Sequence, residues 1–308
     1  MTRPGAGRVA PLDLSAVEGP RRLGRRGALL RRLPWAVSVP LLEALAVVDG
    51  LRRGRQRRVY RWARVQGHRP LAAHGLAIRM LRHHGRFVAE EAVIGVHADG
   101  RPGGSLTVQG AEHLEAVDGG VLLLGFHLGP PRTWLALRSL GWPVRMAARF
   151  RAGPDEAAWR SLVQAGDIIP LSGPGDAARF QSLYRICSLL RQGAPVFLTA
   201  DGPFGRDLFR IALPGAALRV RAGWFSVRRQ TRVPTLPVFM YAEGRNRVVQ
   251  IHPALPPPAE DETTDREACR TALTPLVSAF VRAHPEQCRY LVFPEWADDD
   301  QPRPTSGQ

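Results

Sequence analysis

The chain has 308 residues, 44 % of them hydrophobic, enough for one large α/β domain or two small ones with a buried core; disordered, collagen-like and disulfide-stapled chains are set aside. It contains no lysine, and its 43 arginines face 27 acidic residues for a net charge of +16. That charge is lopsided: residues 1–86 hold 19 arginines and four acids, whereas the remaining 222 are within one charge of neutral. The first part is therefore a cation suited to nucleic acid or to the anionic face of a membrane.

In chain order, residues 1–20 read as a disordered tail and residues 21–86 as a basic helical region at a membrane surface. Within the latter, WAVSVPLLEALAVV from Trp35 to Val48 is interrupted only by Ser38, Pro40 and Glu43, with RRLGRRGALLRR before it and LRRGRQRR after. Crossing ~30 Å of hydrocarbon takes about 20 apolar residues. The run is shorter, and fits a helix lying among headgroups with its arginines on phosphates; a buried core helix with charged flanks is the plainer alternative. Glu43 and the basic cluster directly after the run set aside a cleaved signal peptide. From Arg52 to Arg86, the residues Val59, Trp62, Val65, Leu71, Leu76, Met80 and Leu81 recur among arginines and histidines, broken near Gly67 and Pro70, which predicts two helices. His68, His74, His83 and His84 have no partnering acids nearby and read as polar-face residues.

Residues 87–297 change to the pattern of an α/β domain, and residues 298–308 read as a second disordered tail. SLTVQG, VLLLGF (121–126), VRMAA (144–148), IIPL (168–171), PVFLTA (195–200), LPVFMY (236–241) and VVQIH (248–252) are each of strand length. Between them, residues 131–140 predict a helix that stops at Gly141. Residues 175–192 predict another, with Phe180, Leu183, Cys187 and Leu190 on one face. A last helix carries Leu273, Leu276, Val277, Phe280 and Val281, with Pro275 at its middle and Thr264 and Glu267 as a capping box. This alternation indicates a mostly parallel sheet flanked by helices. Cys187, Cys269 and Cys288 lack disulfide or zinc spacing, read as small buried hydrophobes, and fit a reducing compartment. No metal site and no cofactor are expected.

Ligand chemistry in such a sheet gathers at the carboxyl ends of its strands. Two segments lie there. Gly125-Phe126-His127-Leu128-Gly129-Pro130-Pro131-Arg132 brings a histidine off an apolar strand just before a helix, and Thr199-Ala200-Asp201-Gly202-Pro203-Phe204-Gly205 ends a strand in a turn.

With their surroundings these segments resemble a family. Val108-Gln109-Gly110-Ala111-Glu112-His113-Leu114, then VLLLGFHLG, Arg149, LLRQGAPVFLTADG and finally HPEQCRYLVFPEW at 284–296 are similar, in that order, to the bacterial lipid A lauroyl and myristoyl acyltransferases. These belong with the phosphatidylinositol mannoside acyltransferases and the wider lysophospholipid acyltransferase superfamily. The resemblance covers residues 30–297 and implies a glycerolipid-acyltransferase-like fold at the cytoplasmic face of the inner membrane. It also implies transfer of a fatty acyl group from an acyl carrier protein or coenzyme A thioester to a hydroxyl of a lipid or glycolipid. A neutral imidazole at His127 suits the proton abstraction that this requires. Backbone amides opening the helix after Pro130 suit the developing negative charge. Arg132, Arg149, Gly129 and Gly202 are then the substrate-binding residues.

The sequence departs from the family at one place. The family's motif is a histidine, four intervening residues and then a carboxylate, and at the carboxylate's place this chain has Arg132; a guanidinium cannot accept the imidazole hydrogen bond. Three explanations stand. Asp201, which also ends a strand, takes the acid's place; or Arg132 grips a phosphate at a site with a changed acceptor such as an amine; or catalysis is lost and acyl-lipid binding retained. A nucleic-acid binder remains the distant alternative, supported by charge and by Trp35, Tyr60 and Trp62 near arginines, and opposed by the apolar run and the absence of a recognisable binding motif.

Overall fold

The seven apolar runs become the seven strands of one mixed sheet in the computed structural model, which describes residues 34–93, 105–130, 133–148, 166–171, 176–202, 205–244 and 246–292. The strands are β1 (Leu106–Gln109), β2 (Val121–Gly125), β3 (Arg145–Ala148), β4 (Ile168–Pro170), β5 (Pro195–Thr199), β6 (Asp207–Leu213), β7 (Ala216–Arg221), β8 (Thr235–Glu243) and β9 (Asn246–Ile251). The sheet order is β1-β9-β8-β2-β5-β3-β4, while β6 and β7 pair separately as an antiparallel hairpin. From β8 through β2, β5 and β3 to β4 all neighbours are parallel. β9 runs antiparallel to β8, and β1 is parallel to β9. The fold is thus α/β with a mostly parallel sheet flanked by helices.

Its central strands are buried on both faces, which is why they read as nearly continuous apolar runs. Side chains alternate across the sheet: Leu122, Leu124, Val196, Leu198, Phe239 and Tyr241 enter one core, and Leu123, Phe197, Val238 and Met240 the other. The helices are α1 (Trp35–Arg52), α2 (Arg55–Val65), α3 (Pro70–Val93), α4 (Ala111–Glu115), α5 (Thr133–Ser139), α6 (Asp176–Arg191), α7 (Gly223–Thr231), α8 (Glu262–Ala283) and α9 (Arg289–Val292). Val59 and Trp62 of α2, with Leu76 and Met80 of α3, share the first core with Leu122 and Leu124. The basic helical region is therefore packed onto the sheet, and α3 continues to Val93, past residue 86. Residues 1–20 and 298–308 lie outside the described residues.

The run from Trp35 is two-faced. Ser38 and Leu42 are buried, Gly85 leaves no room for a Cβ against the Leu42 carbonyl, and Gly50 meets Leu81, so α1 seats directly on α3. Glu43, the carboxylate inside the apolar run, pairs with Arg82 of α3 at 2.8 Å. On the other face Val37, Leu41, Leu45, Val48 and Leu51 are exposed, a row at helical spacing. Asp49 pairs with Arg53 at 2.8 Å and Arg55 at 3.0 Å, which takes two flanking arginines out of the free positive charge.

Several expectations need correction. Phe180 is exposed, whereas Cys187 and Leu190 of the expected face are buried together with Ile186, and Leu183 packs half-buried against the same core. Val65 and Leu71 are also exposed, since they sit at facing ends of α2 and α3 where each helix leaves the core. Asp261, not Thr264, caps α8 by accepting from the Thr264 amide at 2.7 Å, while Glu267 pairs with Arg270. His83 and His84 turn inward: Nη1 of Arg289 approaches Nδ1 of His84 at 3.3 Å, and burial, reinforced by Arg289 and Arg55, pushes the His84 pKa down to about 3. The three cysteines are buried. Burial raises all three thiols, Cys269 to about 11, which keeps them protonated and unreactive.

Candidate active site

The pairing of β2 with β5 builds the site. Gly125 stands opposite Thr199 in parallel register, and the ladder continues one step further as the Ala200 amide donates to the Gly125 carbonyl at 2.7 Å. Two residues beyond each partner stand His127 and Asp201. The Asp201 carboxylate accepts the His127 backbone N–H at 2.9 and 3.1 Å and lies 3.0 Å from the imidazole Nδ1. A carboxylate can only accept, so the contact assigns a hydrogen to Nδ1, which in the neutral ring leaves the lone pair on Nε2. Asp201 is 7 % exposed and the His127 side chain 34 %, so the acid is enclosed while the imidazole reaches toward solvent.

The turn after Asp201 is held from outside. Arg221, the last residue of β7, donates from Nε to the Gly202 carbonyl at 2.6 Å and from Nη1 to the Gly205 carbonyl at 3.1 Å, and pairs closely with Asp207. Gly202 has φ +126°, and a Cβ there would come within 3.2 Å of the imidazole Cε1. Its role is to give the histidine room. Gly129 has φ +81°, its N–H donates to the Gln287 carbonyl at 3.2 Å, and a Cβ would meet the Met240 carbonyl. It packs against β8, and its amide is already engaged.

The C-terminal motif closes the site. Gln287 exchanges two hydrogen bonds of 2.9 Å with the Ala242 backbone on β8, fixing the turn Pro285–Gln287 that leads into Tyr290. The Tyr290 ring centroid lies 5.1 Å from that of His127, tilted by 57°. Arg221, Gln287 and Tyr290 were not evident as site residues from the sequence. Arg221 and Gln287 act through backbone groups distant in the chain, which no local spacing reveals. Arg132 and Arg149 lie outside the described residues, as do the first amides after Pro130. Among the described residues, no group of three or more histidine, cysteine, aspartate or glutamate side chains is placed to hold a metal ion.

The fold is similar to that of a 1-acyl-sn-glycerophosphate (LPA) acyltransferase, PlsC, from Thermotoga maritima. The two chains share 13 % identity at a TM-score of 0.43, over 78 % of this chain and 96 % of that one. No protein-family model and no curated protein matches the sequence. The chemistry of the site follows from its own residues.

Proposed function

We propose that this protein transfers a fatty acyl group from an acyl carrier protein or coenzyme A thioester to a hydroxyl of a lipid or glycolipid acceptor, as the lipid A and phosphatidylinositol mannoside acyltransferases that it resembles do. One observation carries this reading: an imidazole at the carboxyl end of a central strand, with Nδ1 held by a buried carboxylate on the adjacent strand. Nε2 of His127 takes the acceptor proton as the hydroxyl oxygen attacks the thioester carbonyl. Collapse of the tetrahedral intermediate expels the thiolate, which recovers the proton from the imidazolium. Asp201 orients the ring and stabilises its protonated form, the part played by the aspartate of a serine-protease triad. The contact supports a relocated acid over an amine acceptor or a lipid binder without catalysis, because it supplies what Arg132 cannot. Arg132 and Arg149 then meet the phosphate groups of donor or acceptor.

The exposed row on α1 supports work at an anionic membrane surface, on the cytoplasmic face of the inner membrane. Among the described residues no helix is long and apolar enough to cross a membrane. Val37, Leu41, Leu45, Val48 and Leu51 present apolar area, and the net charge of +16 supplies attraction to anionic headgroups. This favours a membrane over nucleic acid. Mass spectrometry of membrane lipids from cells with and without the protein is the test. A species heavier by one acyl group, present only with the protein, is expected; identical lipid profiles, together with no turnover of acyl thioesters in vitro, would refute the reading.

A further inference from the structure

Next to Tyr290 sits an arginine that is buried in spite of its charge. Arg289 is 7 % exposed, and its guanidinium lies 5.2 Å from the Phe87 ring centroid and 5.1 Å from that of Tyr290. Its Nη1 also donates to Nδ1 of His84 at 3.3 Å. Guanidinium is planar and weakly hydrated, so stacking against aromatic faces fixes orientation as well as distance. Phe87 and His84 belong to α3, the helix on which α1 sits. A contiguous set of contacts therefore runs from α3 through Arg289 and Tyr290 to the imidazole of His127.

Among the neighbours of that imidazole are Asp201 at Nδ1, Gly202 beside Cε1, and the Tyr290 ring. The hydrogen bond to Asp201, on a ring whose side chain is 34 % exposed, competes with water. Packing against Tyr290 removes rotamers that would turn Nδ1 away from the acid.

We infer that Tyr290 and Arg289 are positioning residues for His127: the tyrosine ring holds the imidazole in the rotamer that faces Asp201, and Arg289, anchored on α3, holds the tyrosine. The inference rests on the reading of His127 as general base, and its structural half stands apart from activity.

The test uses full-length protein with Tyr290→Leu, Tyr290→Phe and Arg289→Lys, assayed for turnover of lauroyl-coenzyme A. Imidazole ¹⁵N spectra report the His127 tautomer in parallel. Tyr290→Leu removes the ring and Arg289→Lys keeps the charge without the planar stack. Both should lower kcat by roughly 10- to 100-fold, as for misplacement of a catalytic group by about an ångström, at unchanged KM and thermal midpoint. In both, the His127 signals should move from the single Nδ1–H form to averaged values. Tyr290→Phe keeps the ring and should recover most of the rate and the single form. Single-tautomer spectra in Tyr290→Leu would overturn the inference. If the wild-type protein leaves membrane lipids unchanged and turns over neither lauroyl-coenzyme A nor a lauroyl acyl carrier protein, the proposed function fails, and the spectra alone still decide whether Tyr290 positions the ring.

Discussion

Asp201 binds the same residue twice, accepting the backbone N–H of His127 at 2.9 Å and lying 3.0 Å from its imidazole Nδ1, across 74 positions of sequence. The first bond extends the junction between β2 and β5, and the second fixes the tautomer. One carboxylate thereby ties the orientation of the ring to the register of the sheet.

The exposed row on α1 should govern association with membranes. Leu41→Asp together with Leu45→Asp places charge on the outward face and leaves Ser38, Leu42 and Gly50 on α3 undisturbed. Each leucine withdrawn from the lipid boundary forfeits about 1.5–3 kcal/mol of apolar burial at most. Co-sedimentation with vesicles containing anionic lipid should fall at least tenfold. Unchanged binding would show that the row serves another contact.

Acid should weaken the fold through its half-buried histidines. Burial holds His83, His84, His252 and His284 below the ordinary value of 6.5, with His84 at about 3. The unfolded chain takes up protons near 6.5 and the folded chain does not, so this stability is fully present above that value. It is lost as the pH falls from 6.5 toward 3. The urea midpoint should drop between pH 7.5 and 4.5, and His84→Gln should flatten the drop. A midpoint indifferent to pH would contradict this assignment.

A buried ion pair joins α7 to α8. Arg228 and Asp265 are 1 % and 0 % exposed and 2.8 Å apart, and Arg229 reaches the same carboxylate at 3.2 Å. Asp265→Ala leaves a buried guanidinium without its counter-charge and should cost about 3–5 kcal/mol of stability in denaturant unfolding. A loss under 1 kcal/mol would mean that the pair is relieved by solvent.

Much of this was legible in the sequence, and the gaps have physical reasons. Apolar runs such as VLLLG mark the central strands because strands buried on both faces carry little else, whereas the edge strand β1 alternates half-buried and exposed residues. The hairpin of β6 and β7 does not show in the apolar pattern, because Arg210 and Arg219 interrupt its short alternation, although Pro214-Gly215 marks its turn. Phe180 lies on the expected stripe yet is exposed, because helical spacing identifies a stripe without saying which neighbour covers it. His127 and Asp201 were both visible as strand-end residues. Their contact depends on β2 lying beside β5 in register, and pairing order is not written in either segment. Arg221 was invisible because it acts on carbonyls of a turn.

The most direct measurement compares turnover of an acyl thioester by His127→Ala, Asp201→Asn and the double variant. His127→Ala should lower the rate by roughly 10²- to 10⁴-fold. Asp201→Asn should cost nearly as much, and the double variant should be no worse than His127→Ala because the two residues act as a unit. Arg132→Glu should then bring no gain, since the imidazole already has its acid. Full activity in Asp201→Asn, or a rise in activity with Arg132→Glu, would contradict the relocated dyad.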